Sequence, residues 1–333
     1  MGRKRRAMRG VFLFDIDRID IQEAASVMQT VYELLIYGLS TSAATWIGVV
    51  FIFGLLIGSF LNVVIHRLPI MLEREWRAQA EEILGQSPSA GTTPAPPGRY
   101  NLFVPRSACP KCGAMITAAQ NIPVISYLLL KGKCAKCGTK ISPRYPIVEL
   151  VTAILSALVA WKFGFGWYTG AALLLTWLLI ALCVIDFDTQ LLPDSLTLPL
   201  LWIGLLLSLA GTVPHIGLPV DTRSSIIGAV AGYVSLWSVY QLFKLLTGKE
   251  GMGYGDFKLF AALGAWLGWQ MLLPIILLSA LAGSVLGIAL ITLRGRDHNV
   301  PFSFGPYLAA AGWIALMWGN ELVGTYLRAT GLG

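Results

Sequence analysis

Charge is what this chain has least of. Of its 333 residues only 13% are Asp, Glu, Lys or Arg, against about 25% in a soluble domain, and 56% are hydrophobic. That shortage excludes an ordinary water-soluble globule and puts the chain under the rules of the bilayer. Histidine is nearly missing, with three in all. His66 marks a membrane boundary, and His215 and His298 fall in loops, so histidine carries no chemistry. Cysteine is limited to five, four of them in two CxxC pairs, which speaks against a secreted disulfide framework and for metal binding in a reducing compartment. No basic stretch leads into an apolar core with a small-residue cleavage site, so no signal peptide is expected. No glycine-rich loop of the dinucleotide-binding kind follows a strand.

What is present is a series of apolar runs of helix length. Eight spans are expected: Trp46 to Ile65, Ile147 to Lys162, Trp167 to Ile185, Leu196 to Gly211, Ser224 to Leu246, the short Asp256 to Gly268, Met271 to Leu293, and Phe302 to Leu322. The sixth is short enough to be re-entrant. Gly54 and Gly58, four apart in the first span, let another helix approach closely. The net charge of +7 could suggest nucleic acid, but the positive-inside rule explains it more simply. With the cysteine segment in the cytoplasm, the basic residues from Arg67 to Arg144 lie inside, as do Lys244, Lys249, Lys258, Arg294 and Arg296. Only Lys162, Arg223 and Arg328 lie outside. No nucleic-acid partner is expected.

Residues 1–27 fit none of this. Their cluster Arg3, Lys4, Arg5, Arg6 and Arg9 would lie on the wrong side of the membrane. They are expected to be a disordered or non-native extension, with translation beginning at Met28. The organisation read from the chain is thus a first transmembrane segment over 28–66, a small cytoplasmic domain over 67–146, and a transmembrane core over 147–333. The fold class is an all-α polytopic membrane protein of about eight helices.

The cytoplasmic part starts with an amphipathic helix, Pro69 to Leu84, whose Glu73, Glu75, Glu81 and Glu82 read as a solvated face. A linker rich in Pro, Ser, Thr and Gly follows over Gln86 to Gly98. Then come Cys109-Pro-Lys-Cys112 and, after 21 residues, Cys134-Ala-Lys-Cys137, with Gly113 and Gly138 behind the second cysteine of each pair. Two such turns supply the four corners of a tetrahedral thiolate zinc site. The competing reading, two redox pairs, lacks a βαβ context. A zinc held by four thiolates has no open position, so its role is structural. Cys183, inside a span, is a packing residue.

Four acids lie near the cytoplasmic face: Asp186, Asp188, Asp194 and Asp256. Asp194, behind Pro193 and ahead of a span, reads as a helix N-cap, and Asp188 as solvated. Asp256 sits in Gly248-Lys-Glu-Gly-Met-Gly-Tyr-Gly-Asp256, a run with four glycines, where an N-cap is its rival reading. Asp186 follows an apolar run. Two aspartates brought together in a partly apolar site do not both ionise freely, so one acid and one base coexist. The ionised partner then takes a proton from water while the other polarises a scissile carbonyl. Glycines ahead of Asp256 leave room for a substrate backbone.

The motif Gly253-Tyr-Gly-Asp256, together with Gly58-Ser-Phe-Leu-Asn-Val-Val-Ile-His-Arg-Leu-Pro69, the paired CxxC, Ile141-Ser-Pro-Arg-Tyr-Pro-Ile-Val-Glu-Leu150, Ile185-Asp186 with Leu192-Pro193-Asp194, and Phe304-Gly-Pro-Tyr-Leu308, closely resembles the type IV prepilin peptidases from about Met28 to Leu322. The resemblance implies an aspartic endopeptidase of the bacterial inner membrane, with Asp186 and Asp256 as catalytic pair at the cytoplasmic face. It implies removal of the basic leader of type IV prepilins and type II secretion pseudopilins after a glycine. It also implies N-methylation of the new amino terminus, usually phenylalanine, from S-adenosylmethionine, whose site spacing does not reveal. Membrane lipid is the remaining partner. Three rivals stay open: a peptidase without methyl transfer, a presenilin-like protease that leaves the cysteines unexplained, and a transporter using the two aspartates as a proton relay.

Overall fold

A computed structural model describes residues 40–85, 100–210, 219–294 and 303–331, with single positions between 29 and 38. Residues 1–28, the linker 86–99 and His215 and His298 lie outside the described residues.

Among the described residues the protein is all-helical. In chain order the helices are α1 (Ala43–Leu84), α2 (Ile125–Leu129), α3 (Arg144–Phe163), α4 (Trp167–Thr189), α5 (Asp194–Leu209), α6 (Thr222–Thr247), α7 (Tyr254–Leu267), α8 (Leu272–Arg294) and α9 (Gly305–Thr330). Five helices are long and apolar enough to cross a membrane: α1, α3, α4, α6 and the run Trp269–Ala289 that includes most of α8. Each of the eight expected spans thus falls on a helix, all but α2 of the nine, but only five are candidate spans. With 16 residues α5 falls short. At about 1.5 Å per residue the 14 residues of α7 reach only about 21 Å, below the roughly 30 Å of hydrocarbon.

The amphipathic helix expected at Pro69 is not a separate element. It is the continuation of α1, which runs unbroken through Pro69 for 42 residues. Tertiary packing carries the helix through a residue that removes a backbone donor. Leu68 is buried against Leu61, Val148 and Ile185. Arg67, also buried, donates to the carbonyls of Asn101 at 2.9 Å and Pro105 at 2.6 Å. A guanidinium there is tolerable because its N–H groups are met by carbonyls and the Tyr100 ring lies alongside.

Gly54 and Gly58 do what their spacing suggests. A Cβ on Gly54 would come within 2.8 Å of the Ala153 Cα, and one on Gly58 within 2.7 Å of the Glu149 Cα, so α1 and α3 touch backbone to backbone. The short α7 is embedded instead of spanning. Nearly every residue from Asp256 to Trp266 is buried. Gly264 abuts Gly228 of α6, Ser225 donates to the Ala265 carbonyl at 2.6 Å, and Trp266 Nε1 donates to the Leu200 carbonyl of α5 at 2.8 Å. This packing fixes the N-terminus of α7, where Asp256 stands, against α5 and α6.

Candidate active site

Three helix ends meet around Leu192: the last turn of α4, the first turn of α7 and the first turn of α9. A Cβ on Gly255 would come within 2.6 Å of the Leu192 Cβ, and one on Gly305 within 3.1 Å of its Cδ1. Asp186, in the last turn of α4, is 5% exposed, and Asp256, in the first turn of α7, is 7% exposed. They lie close enough for the charge of Asp186 to act on Asp256.

Their hydrogen bonding differs. Asp186 accepts from the Ser303 hydroxyl and from the backbone N–H of Gly305, so its carboxylate sits at the N-terminus of α9, where the helix dipole favours negative charge. Asp256 accepts from the backbone N–H of Gly253. Gly253 is the N-cap of α7 and Asp256 the third residue of the helix, so the side chain reaches back in the manner of a capping-box acid and is not itself the N-cap. Its other oxygen, Oδ1, is buried with no protein partner, the sole such side-chain oxygen or nitrogen among the described residues. An orphaned buried carboxylate oxygen is costly in a native structure and is found where chemistry uses it. On the same turn of α7, Tyr254 and Phe257 pack with Tyr240 of α6 edge to face or tilted.

The other two acids form ion pairs. Asp194 is not an N-cap. Pro193 holds that position, and both oxygens of Asp194 accept from Lys258 of α7, at 2.6 and 2.7 Å. The sequence pattern Pro-Asp before a span suits a cap, but the partner comes from 64 residues away. Asp188, expected to be solvated, pairs with Arg144 at the start of α3. Ser303, Gly305 and Leu192 are the site neighbours that sequence reasoning did not assign. A serine two residues ahead of a glycine-proline helix start was the available signal for the first two.

The four cysteines converge as their spacing requires. Their Sγ atoms all lie within 4.8 Å of one another, with Cys109 and Cys137 at 3.8 Å and Cys112 and Cys134 at 4.0 Å. Four sulfurs about 2.3 Å from a tetrahedral metal stand about 3.8 Å apart, so these two edges match a tetrahedral site. Each CxxC turn is built alike. Gly113 and Gly138 take φ of 67° and 70°, and their N–H groups donate to the carbonyls of Cys109 and Cys134, both at 2.9 Å. The Thr139 hydroxyl, 3.2 Å from the Cys137 sulfur, and the Thr139 backbone N–H bring that thiol down to about 6. Cys183 packs at the edge of the helical core.

Comparison with known proteins settles the family. The model of the bacterial peptidase A24 N-terminal domain matches residues 52–163, and that of the type IV leader peptidase family matches residues 173–288. The chain is 56% identical to the prepilin leader peptidase/N-methyltransferase of Pseudomonas aeruginosa over 278 residues, which is 84% of this chain and 92% of that one. The chain belongs to the type IV leader peptidase family. Other members similar to it, with the same name, come from Aeromonas salmonicida, 58% identical over 85% of this chain and 94% of the relative, and Neisseria gonorrhoeae, 52% identical over 79% and 87%. No solved structure matches the chain. Within the family's two matched regions, the first holds the four cysteines and the second holds both Asp186 and Asp256.

Proposed function

We propose that this protein is a membrane-bound aspartic endopeptidase that removes the leader of type IV prepilins and pseudopilins and then methylates the exposed amino terminus from S-adenosylmethionine. The observation that carries the peptidase half is the pair itself: two buried aspartates from different helices, one accepting from two donors and the other with an unpartnered oxygen. Asp186, with two donors on its carboxylate, is the base that takes a proton from the attacking water. Asp256 holds the shared proton and offers it to the oxygen of the scissile carbonyl. Collapse of the tetrahedral intermediate returns that proton to the pair and delivers the other to the leaving amine. The same two groups therefore serve both halves of the hydrolysis.

The site lies at the cytoplasmic face of the inner membrane in this reading, because the lysines and arginines of the intervening loops cluster there. A prepilin has a basic leader in the cytoplasm and an apolar mature helix in the bilayer, which presents the bond at that depth. Cys109, Cys112, Cys134 and Cys137 of the cytoplasmic region would hold one structural zinc, being the donor type and number for a closed zinc site. Zinc there supplies a fixed corner for the chain and no Lewis acid.

Purified protein in detergent, given a prepilin and methyl-labelled S-adenosylmethionine, should release the leader by cleavage after glycine and label the new terminal residue. Cleavage with no label on the product would leave a peptidase alone, and no cleavage would overturn the reading. Gly305→Ala provides a finer check on the geometry. The new methyl would run into the Asp186 carboxylate and come within 3.1 Å of the Leu192 Cδ1. A displaced catalytic group costs on the order of 10²-fold, so cleavage should fall by about that factor while zinc content is unchanged.

A further inference from the structure

The cysteine-bearing region carries an apolar face that the peptidase reading does not use. Ile125 is 53% exposed, Leu128 68% and Leu129 77%, all on the five-residue helix α2. Ile122, just ahead of it, is exposed as well. Next to this face is an open cavity of about 440 Å³, lined among others by Lys131, Lys133, Lys140, Tyr127 and Ser142. From Tyr100 to Val148 the chain holds seven lysines and arginines and no acid.

The position of α2 along the membrane normal follows from one hydrogen bond. The backbone N–H of Val124, the residue that opens α2, donates to the Glu149 carboxylate at 2.8 Å. The Glu149 backbone lies five residues inside α3, about 7.5 Å from its cytoplasmic end, and its side chain leans back toward that end, so α2 begins beside the first two turns of α3. With 20 residues α3 is about 30 Å long, only enough to cross the hydrocarbon, so it cannot project into the cytoplasm by that much. The level of Glu149 is therefore at or below the headgroups, where α3 also leaves Ile147, Leu150 and Val151 exposed.

We propose that α2 is a membrane-docking element: Ile122, Ile125, Leu128 and Leu129 enter the bilayer interface, and Lys131, Lys133 and Lys140 hold the phosphate of an anionic phospholipid. Apolar side chains below a rim of lysine is the pattern of interfacial anchors. Charge also selects the occupant. The nearest acids, Glu149 and Asp188, are already engaged by Val124 and Arg144, so the excess of cations repels a basic prepilin leader and draws an anionic headgroup. The inference rests on the chain being embedded in a bilayer and is independent of the assignment of the aspartates.

The test uses the full chain in lipid nanodiscs, of phosphatidylcholine alone or with added phosphatidylglycerol, followed by amide hydrogen exchange over residues 120–133. Each lysine at an anionic surface is worth about fivefold in binding. Exchange over Ser126 to Leu130 should slow by about tenfold or more in the anionic discs. Lys131→Gln, Lys133→Gln and Lys140→Gln together should erase that difference, and Leu128→Ser with Leu129→Ser should raise exchange in both kinds of disc. One zinc per chain in each variant shows that the region has kept its fold. A phosphatidylglycerol with a diazirine at the top of its acyl chain should label the same segment. Equal exchange in both discs with no label in the segment would overturn the proposal. So would equal protection by inorganic phosphate in neutral discs, or protection that appears only on adding a prepilin.

Discussion

Asp186→Asn and Asp256→Asn should each lower prepilin cleavage by at least about 10³-fold, and the double variant should be no worse than the poorer single one. The expectation of non-additivity comes from the geometry. The two carboxylates come from helices α4 and α7 and meet at Leu192, and neither has another acid or histidine among its hydrogen-bond partners. If one proton is shared by the pair, removing either partner removes the whole acid–base step, and removing the second costs nothing more. An amide is nearly isosteric with the acid, so the fold should survive and zinc content should stay at one per chain. Initial rates on a prepilin peptide, with the four forms assayed side by side, measure both points. A single variant that kept more than about a tenth of the activity would remove that aspartate from the pair. A double variant worse than either single by the product of their losses would mean two separate tasks and not one shared proton.

The same assay sharpens the roles of the ion-paired acids. Asp188 and Asp194 stand in the same stretch of chain as Asp186, but Arg144 and Lys258 already satisfy them. Their bonds join α3 to α4 and α5 to α7 near the site, so they position helices and do not touch the scissile bond in the proposed mechanism.

What the chain made legible was what depends on neighbours in sequence. The CxxC turns are local: a cysteine, two residues, a cysteine and a left-handed glycine fold the same way twice, and four sulfurs follow. Apolar runs of helix length locate the helices, although α5 and α7 are too short to cross, and α7 owes its apolar composition to burial inside the bundle. The pairing of Asp186 with Asp256 could be inferred because charge topology puts both on one face. The surroundings of the pair could not. Ser303 reaches Asp186 across 117 residues, and Lys258 reaches Asp194 across 64. Such contacts leave no periodic trace. Pro69 is the reverse case, in which a strong local signal for a helix boundary is overridden by the burial of Arg67 and Leu68.

Removing the metal should unfold residues 107–141 and leave the helical core in place. Between Asn101 and Ile147 no Val, Ile, Leu, Met, Phe or Tyr side chain is buried, so this stretch has no apolar core of its own. What it has is one short α-helix, one 3₁₀ turn at Ala119–Asn121, two isolated bridges, Ala108 with Met115 and Lys133 with Lys140, and the four sulfurs between them. Each bridge closes one CxxC turn, so loss of the metal releases both at once. Structural zinc contributes roughly 10–16 kcal/mol of apparent binding energy to small domains of this kind, more than any other interaction available here. Metal analysis should find about one zinc per chain, lost in the Cys109→Ser, Cys134→Ser double variant. In detergent, trypsin should then cut at Lys111, Lys131, Lys133, Lys136 and Lys140 at least about 10²-fold faster than in the zinc-bound protein, a small fraction of what that binding energy allows. Helix content by circular dichroism should scarcely change, since α1 and α3 are held by backbone contact at Gly54 and Gly58, outside the segment. A metal-free protein as resistant to trypsin as the zinc form would mean that Arg67, Glu149 and their carbonyl and N–H partners hold the region unaided.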